Sequence, residues 1–120
     1  MPHARTVFVD MGAALDFHSM ESPAMYINKV YAKFGFLFDH VYAFEIDPKN
    51  ATEVFNKVPP NMRASYHWMN IGVSADPNSL DNPLYTILSK FDKDDFIVVK
   101  LDIDTPSTEV PLAYQILNNT

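Results

Sequence analysis

Short apolar runs alternate along the chain with segments in which apolar residues recur every three or four positions. The runs are typical of strands buried on both faces of a sheet, and the recurring pattern is typical of helices with one apolar face. Strands are predicted over residues 6–9, 41–44, 65–69 and 96–101, and the last of these, rich in Ile and Val, has the clearest pattern. Alternating strands and helices predict an α/β fold, with a parallel sheet covered on both faces.

Helical segments lie between these strands. They are predicted over residues 23–33, 50–57, 80–91 and 107–117. Pro23 can open the first helix with Ser22 as its cap, and Gly35 ends it. Proline shapes the others as well, because Pro83 favours a start near that residue in the third helix and Pro111 weakens the fourth.

Composition limits the fold and the partners. A chain of 120 residues, 48% hydrophobic and 20% charged, is typical of one soluble domain over residues 1–120. The net charge of −6 and the absence of a basic stripe lead us to expect no nucleic-acid partner. The apolar runs are shorter than the roughly 20 residues of a membrane span, and we see no export signal. We expect a soluble, intracellular protein without a membrane anchor.

Metal and thiol chemistry have little support in the sequence. The chain has no cysteine, which excludes disulfides, thiolate zinc sites and a catalytic thiol. Three of its four histidines, His18, His40 and His67, lack the spacing that places two ligands on one helical face, so we expect no metal site. His18 follows the first strand, where a general base for an acceptor hydroxyl could stand, and a plain surface histidine is the favoured alternative.

Acidic residues follow three of the predicted strands. Asp10 comes after the first strand and Glu45 after the second, while Asp102 and Asp104 follow the fourth. In an open parallel sheet, ligands bind beyond the carboxyl ends of the strands. Gly12 would let the backbone approach a ligand closely, and an acid after the second strand can bind both ribose hydroxyls. These positions predict one shared crevice, and each has a physical rationale if the ligand is an adenosine-containing cofactor with a charged amino-acid tail.

Residues 6–117 resemble the class I methyltransferases that depend on S-adenosylmethionine (SAM), and among them the FkbM-like group. The matching segments are VFVDMGA, VYAFEIDP, NIGVSAD and FIVVKLDID, in the order of the four strands. VYAFEIDP is the most specific, because Phe44, Glu45 and Pro48 fall where the group has its ribose-binding acid. The resemblance implies a Rossmann-like, doubly wound, mostly parallel sheet, here incomplete, with about four strands in the order 3-2-1-4.

The resemblance also implies roles for individual residues. The implied cofactor-binding residues are Asp10, Gly12 and Ala13 at the methionine end of SAM, Glu45 at the ribose, and Ile46, Asn70 and Gly72 near the adenine. The implied residues of the methyl-transfer pocket are Lys100, Asp102 and Asp104, which resemble a Lys-x-Asp-x-Glu motif. The implied activity is O-methylation of a small-molecule or sugar-like acceptor, by in-line displacement with the acceptor held close and aligned.

The chain departs from the pattern of the group. Its glycine-rich loop is reduced to Gly12 followed by Ala13, Ala14 and Leu15, and Thr105 stands where the group has glycine. The separation of Asp10 from Glu45 exceeds the roughly 20 positions of dinucleotide-binding folds, which predicts an insertion near residues 18–25 that covers the site.

The sheet is also incomplete, because the group has about seven strands. An unpaired apolar fourth strand is an edge that proteins normally pair or cover. We predict a homodimer through this edge, or a chain that is part of a longer protein.

Other interpretations stay open. Acids at strand ends also begin ordinary solvated loops, and Gly12 also relieves a tight turn. Lys100 is either a partner of a nearby acid, which is favoured, or a catalytic base. The whole chain could instead be a non-catalytic Rossmann-like module that assembles with a partner. A nicotinamide-dependent oxidoreductase ranks last, because it requires a G-x-G-x-x-G loop that this sequence lacks.

Overall fold

The computed structural model describes residues 5–13, 23–33, 38–103 and 105–118. The strands are β1 (Thr6–Met11), β2 (His40–Phe44), β3 (Tyr66–Met69) and β4 (Phe96–Leu101). The α-helices are α1 (Pro23–Lys33), α2 (Ala51–Lys57), α3 (Pro83–Thr86) and α4 (Pro106–Asn118), and 3-10 helices span Pro60–Ser65 and Leu88–Lys90. Among the helices in these ranges, none combines the length and the apolar character needed to cross a membrane.

The four strands form one parallel sheet in the order β3-β2-β1-β4. β1 pairs with β4 along its whole length, from Thr6 opposite Phe96 to Met11 opposite Leu101, and its other edge pairs with β2. The predicted α/β fold is therefore confirmed, including the strand order 3-2-1-4 of an incomplete Rossmann-like sheet. Because β1 has a neighbour on each side, its carboxyl end lies at the centre of the row formed by the carboxyl ends of the four strands.

Successive residues of β1 pack on opposite faces of the sheet, as the period of two in a strand requires. Phe8 belongs to an apolar cluster that includes Ile27 of α1 and Val54 of α2. Val7 and its same-face neighbours belong to a second cluster that includes Leu112 of α4. Helices thus cover both faces, which is the doubly wound arrangement.

Two predicted bounds are wrong for identifiable reasons. β1 continues through Asp10 to Met11 instead of ending at residue 9, because Asp10 is neutralised inside the sheet by an ion pair with Lys100. The helix predicted over residues 80–91 is reduced to α3 and a 3-10 turn. Its start is fixed by Asn82, which is fully buried and accepts a hydrogen bond from the backbone N–H of Leu84 at 2.9 Å.

The other elements lie close to their predicted bounds. α1 and β4 match them, and α4 continues through Pro111 with Leu112 fully buried against the sheet. α2 is capped by Asn50, whose side chain accepts a hydrogen bond from the N–H of Glu53 at 3.1 Å. The predicted cap Ser22, the predicted stop Gly35 and most of the predicted insertion lie outside the described residues.

Candidate ligand site at the carboxyl end of the sheet

A cavity of about 540 Å³ lies at the carboxyl end of the sheet. The turns after β1, β2, β3 and β4 and the start of α4 form its walls. The lining residues are Gly12, Phe44, Glu45, Ile46, Asp47, Ile71, Gly72, Val73, Asp102, Ile103, Thr105 and Thr108. Its volume lies within the roughly 300–1,000 Å³ of small-molecule sites, and its place agrees with the general position of ligands in open parallel sheets.

The turn after β1 is held tightly between its two neighbouring strands. Gly12 has φ +92°, and its N–H and that of Ala13 both donate to the carbonyl of Phe44, at 3.0 and 2.9 Å. A Cβ at Gly12 would lie 1.9 Å from the carbonyl oxygen of Asp102. Glycine therefore permits a close approach to the backbone that directly follows β4, and a side chain here would push the turns after β1 and β4 apart.

Asp10 and Lys100 lie behind this turn. They are directly opposite in the pairing of β1 with β4, and the Lys100 ammonium lies 2.8 Å from Oδ1 of Asp10. The same ammonium donates to the carbonyl oxygen of Gly12 at 2.9 Å. The Asp10 side chain is fully buried inside β1. The prediction that Asp10 follows its strand is thus wrong, and Lys100 has the role of partner to a nearby acid.

Glu45 occupies the wall formed by the end of β2. It is 9% exposed, and its Oε2 accepts a hydrogen bond from the N–H of Asp47 at 2.8 Å. Asn70 fixes this turn from β3, because its Nδ2 donates to the carbonyls of Glu45 and Asp47 and its Oδ1 accepts from the N–H of Lys49. Asn70 therefore holds the backbone that carries Glu45.

Apolar side chains form the adjoining part of the wall. Ile46 is 72% exposed, and Ile71 and Val73 follow β3 on the same side of the cavity. A Cβ on Gly72 would lie 2.8 Å from Cδ1 of Ile46, so the absence of a side chain at Gly72 leaves room for the Ile46 side chain. This wall offers apolar contact next to the Glu45 carboxylate, the combination that a ring joined to a polyol requires.

The start of α4 closes the opposite side. Pro106 occupies the first position of the helix, where its missing N–H costs nothing. The carboxylate of Glu109 reaches back and accepts a hydrogen bond from the N–H of Ile103 at 2.6 Å. The hydroxyl of Thr105 donates to the carbonyl of Ile103 at 3.1 Å. These bonds fix the segment through which Asp102 and Thr108 enter the wall.

The charge of the cavity has one sign. Glu45, Asp47 and Asp102 line it, and none of the lining residues in the described ranges is a lysine, an arginine or a histidine. A cleft lined by carboxylates attracts cations and repels phosphates, and its low-dielectric walls strengthen both effects. The site therefore suits a ligand with a cationic centre and opposes nucleotides that carry phosphate chains.

The structure brings only part of the predicted set together. Five predicted residues line the cavity, namely Gly12, Glu45, Ile46, Gly72 and Asp102. Four others are described but do not line it, namely Asp10, Ala13, Lys100 and Asn70. Asp104 and His18 lie outside the described residues.

Sequence analysis missed Asp47, Val73, Ile103 and Thr108 as wall residues. The signal that could have found them is their position, because each stands within a few residues of a strand end or a helix start. Comparisons of the chain with protein-family models, with curated proteins and with solved structures find no match.

Proposed function

We propose that this chain is the cofactor-binding domain of a SAM-dependent methyltransferase that acts on a small-molecule acceptor. The observation that carries the proposal is the makeup of one cavity. Glu45, which is largely buried, lines it together with Ile46 and Gly12, at the positions where the resemblance implies the ribose, the adenine and the methionine end, and Asp47 and Asp102 add two further carboxylates. The sulfonium and the ammonium of SAM give it the net positive charge that an acidic cleft attracts.

Each wall has a defined part in this proposal. Glu45 accepts hydrogen bonds from the ribose hydroxyls, and Ile46 and Ile71 contact the adenine. The Gly12 turn forms the floor beneath the methionine end. Asn70 does not contact the ligand and acts indirectly, by holding the Glu45 backbone. The proposed roles of Asp10 and Lys100 change accordingly, because both side chains are occupied behind the turn.

Bound SAM would supply a methyl group on a positively charged sulfur. The chain has then to orient an acceptor in line with that group and to take up its proton. Asp102 is the described carboxylate placed for the proton, since it is exposed on the β4 side of the cavity. Thr105 and Thr108 offer hydroxyls for a polar acceptor on the same side. O-methylation of a small or sugar-like hydroxyl compound is the reaction that this arrangement favours.

Titration calorimetry with SAM tests the proposal. We expect the wild-type chain to bind and Glu45→Gln to bind about tenfold more weakly or worse, the effect of losing a charged hydrogen-bond acceptor. Glu53→Gln is the matched control, because Glu53 is an exposed acid on α2, away from the cavity. ATP and NAD should give no binding heat. A folded wild-type protein that gives no heat with SAM would contradict the proposal.

We further propose that β4 pairs with β4 of a second copy. β4 is a terminal strand of the described sheet, and β1 is its one strand neighbour there. The N–H groups of Phe96 and Asp102 point to β1, so those of Ile97, Val99 and Leu101 point away from it. An apolar edge strand with outward N–H and C=O groups is a template for another strand, and a homodimer would satisfy it.

A further inference from the structure

We propose that Asp10 and Lys100 are positioning residues of the ligand site, which act by fixing the Gly12 turn and not by stabilising the fold. The ligand itself is that of the proposed function, so the part of the test that uses SAM depends on it. The part of the test that uses amide hydrogen exchange needs no ligand and does not depend on the proposed function.

The geometry of one ammonium group is the first support. Lys100 donates to Oδ1 of Asp10 at 2.8 Å and to the carbonyl oxygen of Gly12 at 2.9 Å. The carboxylate thus holds the lysine head in place, and the lysine holds the turn. Both side chains are largely or fully buried, so water competes little for these bonds.

The second support is an unsatisfied oxygen. Within the part of the chain that the structure describes, Oδ2 of Asp10 is buried and has no hydrogen-bond partner. A buried ion pair contributes net stability only when its remaining acceptors are also satisfied, and otherwise an apolar pair of similar volume serves the fold equally well or better. What an apolar pair lacks is a donor for the Gly12 carbonyl. The pair is therefore explained by the turn that it holds.

The third support is the position of the turn among the walls. The N–H groups of Gly12 and Ala13 bind the carbonyl of Phe44, and Cα of Gly12 lies against the carbonyl of Asp102. A shift of Gly12 therefore moves the walls from β1, β2 and β4 relative to one another. Side chains that hold such a junction determine whether ligand contacts have their productive distances.

The test replaces both members of the pair by apolar residues of similar length, Asp10→Leu with Lys100→Met. The matched control is Asp94→Leu with Lys93→Met, an exposed acid and lysine at the opposite end of β4. We expect the melting temperature of the first double variant to equal or exceed that of the wild type. We expect its SAM Kd to rise about tenfold, because the hydrogen bond that holds the Gly12 turn is lost. The control variant should keep the wild-type Kd.

Amide hydrogen exchange supplies a readout that does not need a ligand. The Gly12 and Ala13 amides should exchange faster in Asp10→Leu with Lys100→Met than in the wild type, while the β2 and β3 amides keep their rates. Lys100→Arg retains a charged donor, and we expect it to keep both slow exchange and SAM affinity.

The outcomes separate this inference from the proposed function. Wild-type-like exchange at Gly12 and Ala13 in the apolar double variant overturns the positioning role, and so does a variant that fails to fold or melts at a clearly lower temperature. Absence of SAM binding by the wild type overturns the proposed function instead, and the exchange rates then decide the positioning role. If the apolar double variant exchanges faster at Gly12 and Ala13 but keeps the wild-type Kd for SAM, the positioning role is also overturned, because the turn would then not affect ligand binding.

Discussion

At the scale of single residues, the two glycines of the cavity wall differ in what they permit. Gly12 has a positive φ and would place a Cβ against a backbone carbonyl, whereas Gly72 would place one against the flexible end of Ile46. We expect Gly12→Ala to lower the free energy of unfolding by about 2 kcal/mol or more, since strain and clash add. Gly72→Ala should cost less than about 1 kcal/mol. Urea denaturation measures both, and equal losses would contradict the assigned geometry.

His67 makes stability depend on pH. It stacks on Tyr42 with ring centroids 4.6 Å apart, and its Nε2 lies 3.3 Å from Nδ1 of His40. His67 is an exposed residue of β3, but partial desolvation of its ring lowers its pKa from the usual 6.5, and the nearby His40 lowers the pKa further. The unfolded chain therefore takes up a proton at a higher pH than the folded chain does, so folding stability falls as the pH drops below about 6.5.

Unfolding free energies measured between pH 5 and 8 check this prediction. His67→Gln should flatten the slope between pH 5 and 6.5, because the substituted side chain does not titrate. His40→Gln should flatten the slope less, since partial desolvation is a larger cause of the pKa shift than the charge of His40. An unchanged slope in His67→Gln would refute the assignment.

Some residues of the site could be predicted from the sequence, and others could not. Glu45 was found because the ends of parallel strands share a rim, a rule that needs only the strand pattern. The partnership of Asp10 with Lys100 depends on strand register, which joins positions 90 residues apart. The pairing of His40 with His67 likewise depends on the contact between β2 and β3. Spacing along one element carries no information on either pair.

At the scale of elements, Asp95 joins the beginnings of β1 and β4. Its Oδ1 accepts a hydrogen bond from the N–H of Arg5 at 2.9 Å, and its Oδ2 lies 2.8 Å from the Arg5 guanidinium. The bond from the Arg5 side chain lowers the pKa of Asp95 to about 2, with further help from backbone donors. The contribution of this carboxylate to stability is therefore complete above pH 3.8, the usual value, and is lost as the pH falls through about 2.

Asp95→Asn should remove this acid dependence. We expect the wild type to lose stability faster than the variant as the pH falls from 4 to 2. Denaturant unfolding at each pH measures the free energy of unfolding of both proteins. Asp94→Asn is the control, because Asp94 is exposed and its side chain lies outside this contact. Parallel curves for the wild type and Asp95→Asn would exclude the proposed coupling of the two strands.

The elements show where local pattern suffices. The run over β4 and the Pro23 signal at α1 gave the observed bounds, because hydrophobic period and proline chemistry act locally. The third helix was overestimated because its extent is set by tertiary bonds. The side chain of Asn82 donates to the Asp76 carbonyl and to Gln115 of α4, and so fixes the start of α3 from outside the segment.

At the scale of the whole molecule, the proposed homodimer makes a strand-specific prediction. The N–H of Val99 points away from β1, so Val99→Pro should block pairing at the edge and leave the sheet folded. The N–H of Val98 points to β1, and Val98→Pro should cost about 3 kcal/mol of stability. Sedimentation equilibrium should show a wild-type dimer and a Val99→Pro monomer. A Val99→Pro protein that remains dimeric would contradict pairing through β4.

The architecture followed from the sequence more completely than the site did. Alternating strands and helices predict a parallel sheet with right-handed crossovers, and the strand order that the resemblance implies agrees with the observed sheet. The cavity wall depends on side-chain directions at four separate turns. Those directions result from capping, register and long-range hydrogen bonds, which single-sequence patterns do not encode.

The central place of β1 has a consequence for biosynthesis. β1 is made before the other three strands of the described sheet, and its partner β4 follows about 90 residues later, as the separation of Asp10 and Lys100 shows. At ribosomal speeds of about 5–20 residues per second, one apolar edge of β1 waits on the order of ten seconds for its neighbour. The nascent chain therefore passes through a stage in which it is a natural client for chaperones, and slower translation before residue 96 would prolong that stage.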